Sequence, residues 1–440
     1  MREPRRVHEG EGDLSMAYGN HTVLLLGGKP IGSVEIARYV KDRGDRLVVA
    51  DYLPADQSPA KRLADEAWDV STADVSLLAE KSRKAGVDAV MAGVHEFNIE
   101  RGMELAGALG LPFWCTRAQW GAFEDKPAFK RLCREFGIAV AREFDPVDAT
   151  HVEFPVAVKP ADGSGSRGFT KCFAPEAFDA ALVKAREFSP TGTALVEELV
   201  QGEAVIIHYT VHDGKALFCG MADKHSEQMG SKGAPIMALQ VAPSVHQAQY
   251  LVEVDAKCRA MVESLGIREA PLWIEAFYRG SEFVFNEAGL RFGGSMTNLM
   301  VGQLSGVDQM AALYAACTGE GCELDEPASC EGLRYAIFPT HLRAGKVVGV
   351  EGLEDLSRDP RFVAATVVHG AGDEIADWGS AQQVFAYLHF KAASALQLVD
   401  AMRKALETLS VRDAKGNEML FSLFDPSDPA GYPAFLSSQV

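Results

Sequence analysis

Two glutamates, a cluster of cations and one glycine-rich segment are the residues best suited to chemistry. Lys159 opens KPADGSGSRG (159–168), which holds three glycines and two serines. Glycines let the backbone approach a ligand and turn N–H groups toward phosphate oxygens, so Ser164, Gly165, Ser166 and Gly168 are candidate phosphate contacts. It is not a Walker loop, because no Gly-Lys-Ser/Thr follows and the next element reads as a strand. On its own the segment reads equally well as a surface turn. Glu275 lies among apolar neighbours in WIEAF, and Glu287 closes EFVFNE twelve residues later. Carboxylates facing one way on adjacent strands can hold one or two Mg²⁺ or Mn²⁺ ions against a nucleotide triphosphate. Arg291, in RFGGS, would place a guanidinium where charge develops on a transferring phosphoryl group.

These groups need a scaffold. TVLLL (22–26), LVVA (47–50) and VDAVMAG (87–93) are short apolar runs separated by helical patterns, with LPFW (111–114) as a further short strand. That alternation predicts an open parallel α/β domain over 21–120. A helix over Lys126–Phe136 should end at Gly137. From about 145 the chain becomes strand-rich, with helices at 175–187 and 247–266 and a hairpin turn at Tyr278–Ser281. The expected organisation is a disordered extension at 1–20, a nucleotide-binding α+β region of two subdomains at 121–330, and an α+β capping piece at 331–420. The first of those subdomains, about 145–203, would be a lid. A long helix is expected at about 391–408 and a loosely held tail at 421–440.

Composition narrows the function. Of 440 residues, 43 are Lys or Arg and 61 Asp or Glu, a formal charge of −18 that disfavours nucleic acid as a partner. No apolar run is long enough to span a bilayer, and residues 1–16 do not read as a secretory signal. Eight cysteines without a Cys-x-x-Cys pair suggest reduced thiols in a cytoplasmic protein. Gly27-Gly28-Lys29-Pro30-Ile31-Gly32 lacks the dinucleotide-binding spacing.

Taken in order, the motifs resemble the ATP-grasp ligases over roughly 20–420. FEDKPAFKRLCREFGIAVA is similar to the family's Asp-Lys helix, which makes Lys126 the first nucleotide lysine. VAVKPADGSGSRG resembles its lysine-plus-glycine segment, implying that Lys159 binds phosphate beneath a mobile lid at 161–168. ALVEELVQGE is similar to the hinge where the family reads adenine, here with Glu197 or Glu198, Leu199 and Val200. ADKHS implies Lys224 as a further phosphate contact. IEAF and NEAGLRFGGS resemble the pair of metal carboxylates and the catalytic arginine. The family's metal motif usually runs Glu-x-Asn-x-Arg, but Gly289 stands at the asparagine here, leaving Asn286 as a possible replacement. Its ribose glutamate is replaced by Ala204, with Glu203 adjacent.

The resemblance implies an ATP- and Mg²⁺-dependent ligase that activates a small carboxylate as an acylphosphate and joins it to an amine, with a homodimer as the expected assembly. A purine-biosynthetic ligase or carboxylase is the alternative. A nucleotide-binding regulatory protein without turnover is a third reading, kept open by Gly289 and Ala204. Open α/β sheets bind ligands at strand carboxyl ends, so His95 and Glu96, which follow VDAVMAG, are candidate substrate residues. His95 could equally cap the next helix. Gly294, Ser295 and Asn298, beside the metal motif, could contact an acceptor.

Overall fold

The computed structural model describes residues 21–29, 31–146, 151–162, 168–229, 235–328 and 332–428. The expected extension at 1–20, the core of the glycine-rich segment with Ser164, Gly165 and Ser166, and the end of the tail lie outside them.

The N-terminal sheet is fully parallel, in the order Glu66–Asp69, Arg46–Asp51, Thr22–Leu26, Ala89–Ala92. Its inner strands are apolar because helices cover both faces. The last strand leads to His95 and the helix Glu96–Leu109, which brings Glu96 to the carboxyl edge of the sheet. LPFW is not a strand. Pro112 cannot donate to a ladder, and Trp114 instead packs inward and donates from Nε1 to Leu290 O at 3.0 Å.

A four-stranded antiparallel sheet follows, ordered Glu143–Phe144, Ala194–Glu198, Val156–Pro160, Thr170–Cys172, with the helix Phe178–Glu187 on it. The larger antiparallel sheet of nine strands begins with Glu282–Gly289, Ala270–Arg279, Glu203–His212 and Lys215–Gln228. It continues through Pro235–Ala242, Arg334–Leu342, Val384–Ala392 and Phe362–Val367, so one sheet runs across the boundary expected at 330. The Arg279–Glu282 turn is a two-residue hairpin loop, with Gly280 at φ 69°.

Several elements differ from expectation. The strand Pro235–Ala242 and the helix Gln309–Thr318 add to those foreseen. The helical stretch 247–266 is two helices parted at Val254. The long helix starts at Ala395, after the Ser394 side chain caps the Gln397 N–H at 3.3 Å, and the apolar run before it is a central strand. The tail is anchored at its start: Leu420–Phe421 pairs with Arg334–Leu342, and Phe424 is buried against Phe338. Among the described residues, no helix is long and apolar enough to cross a membrane. The described cysteines are free thiols, all buried except the partly exposed Cys322.

Candidate functional site

Between the small and large antiparallel sheets lies a cavity of about 820 Å³, within the size range of small-molecule sites. Asp125 caps the helix Lys126–Glu135 by accepting from Ala128 N–H at 2.7 Å, fixing Lys126 at the first helical position on the cavity wall. One turn on, Lys130 is fully buried and ion-paired with Glu197. Lys159 reaches the same carboxylate from the strand Val156–Pro160. Burial, then the neighbouring Lys130 and Lys126 charges, pull Lys159 down to about 7. Burial likewise takes Lys130 down to about 8. Two buried ammonium groups sharing one carboxylate, with Lys126 close by, suit an incoming polyanion.

Lys224 and Glu275 lie on the strands flanking Glu203–His212, opposite Ala204 and Ile206 respectively. Positions two apart share a face, so the two side chains meet as an ion pair. The Lys224 ammonium and the Asn286 amide hold Glu275 below its ordinary value despite burial, which acts the other way and is the largest influence. Glu275 and Glu287 are direct cross-strand partners, and the register shifts just beyond them. Asn286 is the additional residue at this bulge. In a regular strand it would face away from Glu287. Here its Nδ2 donates to Glu275 Oε1 at 2.8 Å and its Oδ1 accepts from Lys159 Nζ at 3.2 Å. The cavity therefore offers two carboxylates and an amide oxygen, hard donors of the kind Mg²⁺ prefers. Among the described residues no cluster of three His, Cys, Asp or Glu forms a metal site. A metal held here would complete its shell with phosphate and water, the usual manner for Mg²⁺ beside a nucleotide.

At the hinge, Glu198, Leu199, Val200 and Glu203 line the cavity. Glu197 points to the lysines, and Glu198 bonds Arg279 and the Arg142 N–H. The Leu199 N–H is committed to Pro155 O at 3.1 Å. Glu203 pairs with His246 at 2.5 Å, whose ring stacks on Tyr278. Gly168, at φ 77°, lies outside the cavity lining, against Pro160 and Phe188.

A second cavity of about 420 Å³ adjoins the first and shares Lys126 and Glu287 with it. Val94, His95, Glu96, Phe97, Phe123, Glu124, Trp273, Ala288 and Arg291 complete its lining. Arg291 Nη2 donates to Glu96 Oε1 at 2.7 Å, and its guanidinium lies over the Trp273 ring. His95 occupies the N-cap position without a side-chain cap bond, so the capping alternative does not hold. It lines the cavity, and desolvation followed by the Arg291 charge keeps it below the ordinary histidine value. Gly294 and Ser295 line neither cavity, and Ser295 is buried before the helix Thr297–Ser305. Glu124 and Trp273 are among the lining residues that the sequence reading had not singled out.

Residues 152–299 match the ATP-grasp domain model. Formate-dependent phosphoribosylglycinamide formyltransferase of Parasynechococcus marenigrum is 27% identical over 284 residues, 61% of this chain and 70% of that protein. The biotin carboxylase domain dimer of Hydrogenobacter thermophilus 2-oxoglutarate carboxylase, solved with MgADP and bicarbonate, superposes with TM-score 0.75 at 16% identity over 91% of both chains. L-amino acid ligase from Bacillus licheniformis superposes with TM-score 0.70 at 15% identity, covering 90% of this chain and 99% of that one. The cavity lysines and the paired glutamates thus stand in and around an ATP-grasp domain, which this chain carries at residues 152–299.

Proposed function

We propose that the protein uses ATP to join a small carboxylate, an amino acid or similar metabolite, to an amine. The observation that carries this reading is the pair of adjoining cavities with Lys126 and Glu287 at their junction. A triphosphate in the larger cavity would direct its terminal phosphoryl group toward a carboxylate in the smaller one. Lys126, Lys159 and Lys224 would bind phosphate oxygens. Glu275, Glu287 and Asn286 would hold Mg²⁺, whose chemistry is to neutralise charge on the β and γ phosphates. The solved relative containing MgADP supports that choice of nucleotide and metal.

A carboxylate cannot expel oxide when an amine attacks. Phosphorylation supplies a leaving group, and Arg291 would stabilise the charge that develops on the transferring phosphoryl and on the tetrahedral oxygen. Carboxylate, amine and ATP would thus give amide, ADP and phosphate. Formate with a larger amine is a second reading, favoured by the formyltransferase match over 70% of that relative. Reduced, mostly buried thiols are in keeping with a cytoplasmic setting, and the biotin carboxylase dimer with a homodimer.

The test is ADP and phosphate release with each of the twenty protein amino acids and with formate plus a panel of amines, followed by mass spectrometry of products. Release that depends on carboxylate and amine together supports the reading. ATP binding without release under every pairing overturns it.

A further inference from the structure

Glu124 is an ionisable residue of the smaller cavity to which activation of the carboxylate gives no role. It ends the helix Arg117–Glu124, immediately before the Asp125 cap that fixes Lys126. It lines the cavity together with Glu96, whose Oε1 accepts from Arg291 Nη2 at 2.7 Å. Arg291 thus anchors Glu96, leaving Glu124 as the more adaptable member of a carboxyl pair. Phe97, Phe123 and Trp273 wall the same space. Two carboxyl groups ringed by aromatic faces suit an ammonium group, by charge and by cation–π attraction.

A ligase needs such a group for a chemical reason. Aliphatic amines arrive protonated near neutral pH and have no lone pair until one proton leaves. We propose that Glu124 binds the incoming ammonium together with Glu96 and accepts its proton, which makes the acceptor substrate a protonated amine. This inference rests on the ligase reading. In the step, R–NH3⁺ gives a proton to the Glu124 carboxylate. The freed lone pair forms the C–N bond to the acylphosphate carbonyl, and the C–O bond to phosphate breaks with its electrons on phosphate. The second amine proton leaves with phosphate as HPO4²⁻, and Glu124 returns its proton to solvent.

The surroundings favour a base that works near neutrality. Burial first, and then the Glu96 charge, push Glu124 up to about 7, while Arg291 and Lys126 act in the opposite sense. His95 and Glu287 are the other titratable groups lining this cavity. Above that value Glu124 is ionised and can take a proton, and below it the group is already occupied. The amine-dependent rate should therefore fall as pH drops through about 7.

Hydroxylamine separates this role from carboxylate activation, because it is already neutral at pH 7 and traps acylphosphates as hydroxamates. Wild-type protein and Glu124→Gln are compared, with ATP, Mg²⁺ and the amino-acid panel, for hydroxamate formation and for amide formation. The expectation is a loss of about 100-fold or more in amide formation, the range for a general base, with hydroxamate formation retained. The limb near pH 7 should also vanish, and Glu124→Asp should recover part of the rate. Amide formation with unchanged rate and pH profile in Glu124→Gln overturns the inference, as does an equal loss of both products. Should wild-type protein give no hydroxamate with any carboxylate, the ligase reading itself falls, and this inference with it.

Discussion

Trp273 and Gly289 face each other as cross-strand partners, and a Cβ at Gly289 would lie 2.6 Å from the indole Nε1. The indole occupies the space that a longer side chain would need, so the glycine and the tryptophan are one structural choice. That choice gives up an oxygen donor at 289 and gains a wall for the smaller cavity. The bulged Asn286 supplies an amide oxygen close by.

Gly289→Asn should therefore destabilise by about 1–3 kcal/mol, the usual range for overpacking. Trp273→Ala made with it should relieve the clash, giving a favourable coupling in a double-mutant cycle of thermal stabilities. Simple additivity of the two changes would show that the contact is not what excludes a side chain at 289.

Lys159 and Glu275 meet opposite ends of the bulged Asn286. Lys159→Ala and Glu275→Gln should each abolish ADP release, by about 100-fold or more, if they hold charge on the transferring phosphoryl group. Circular dichroism should show both variants folded. Full activity in either would remove that residue from the site.

How much of this was visible in the sequence varied with the kind of signal. Lys159, Glu275 and Glu287 stood out because ionisable groups in otherwise apolar strands need a reason to be there. The parallel N-terminal sheet was legible for a related reason, since strands buried on both faces are continuously apolar. Lys130 was not legible. Four residues after Lys126 on a helix it looks like a solvated charge, and only Glu197, sixty-seven positions away, makes it a core residue. Glu124 was missed likewise, because only the folded chain brings it into one cavity with Glu96, twenty-eight positions earlier. The strand Val384–Ala392 runs into a helix with little break in its apolar character, so periodicity alone put the helix start too early.

Lys130 also predicts a stability effect. Lys130→Met deletes one partner of a fully buried ion pair, which typically costs about 3–5 kcal/mol. Glu197 keeps Lys159 as a second partner, so the expected loss is about 3 kcal/mol. A chemical-denaturation midpoint at the wild-type value would mean that the pair adds nothing to the fold.

Acid should unfold this protein through histidines buried in the neutral form. Burial holds His341 near 4 and His208 near 3, and neither His341 nitrogen nor His208 Nε2 has a hydrogen-bond partner. Each native imidazole therefore binds fewer protons than its unfolded counterpart, whose ordinary value is about 6.5. Their contribution is intact above that value and is lost as pH falls toward the native ones, by about 2 kcal/mol per histidine at pH 5. Thermal melts from pH 8 to pH 5 should show a falling midpoint, with the decline beginning near pH 6.5. His341→Phe should flatten part of that slope, because the strand Arg334–Leu342 would then hold no group to protonate beside Phe421. A slope identical to wild type would place the acid sensitivity elsewhere.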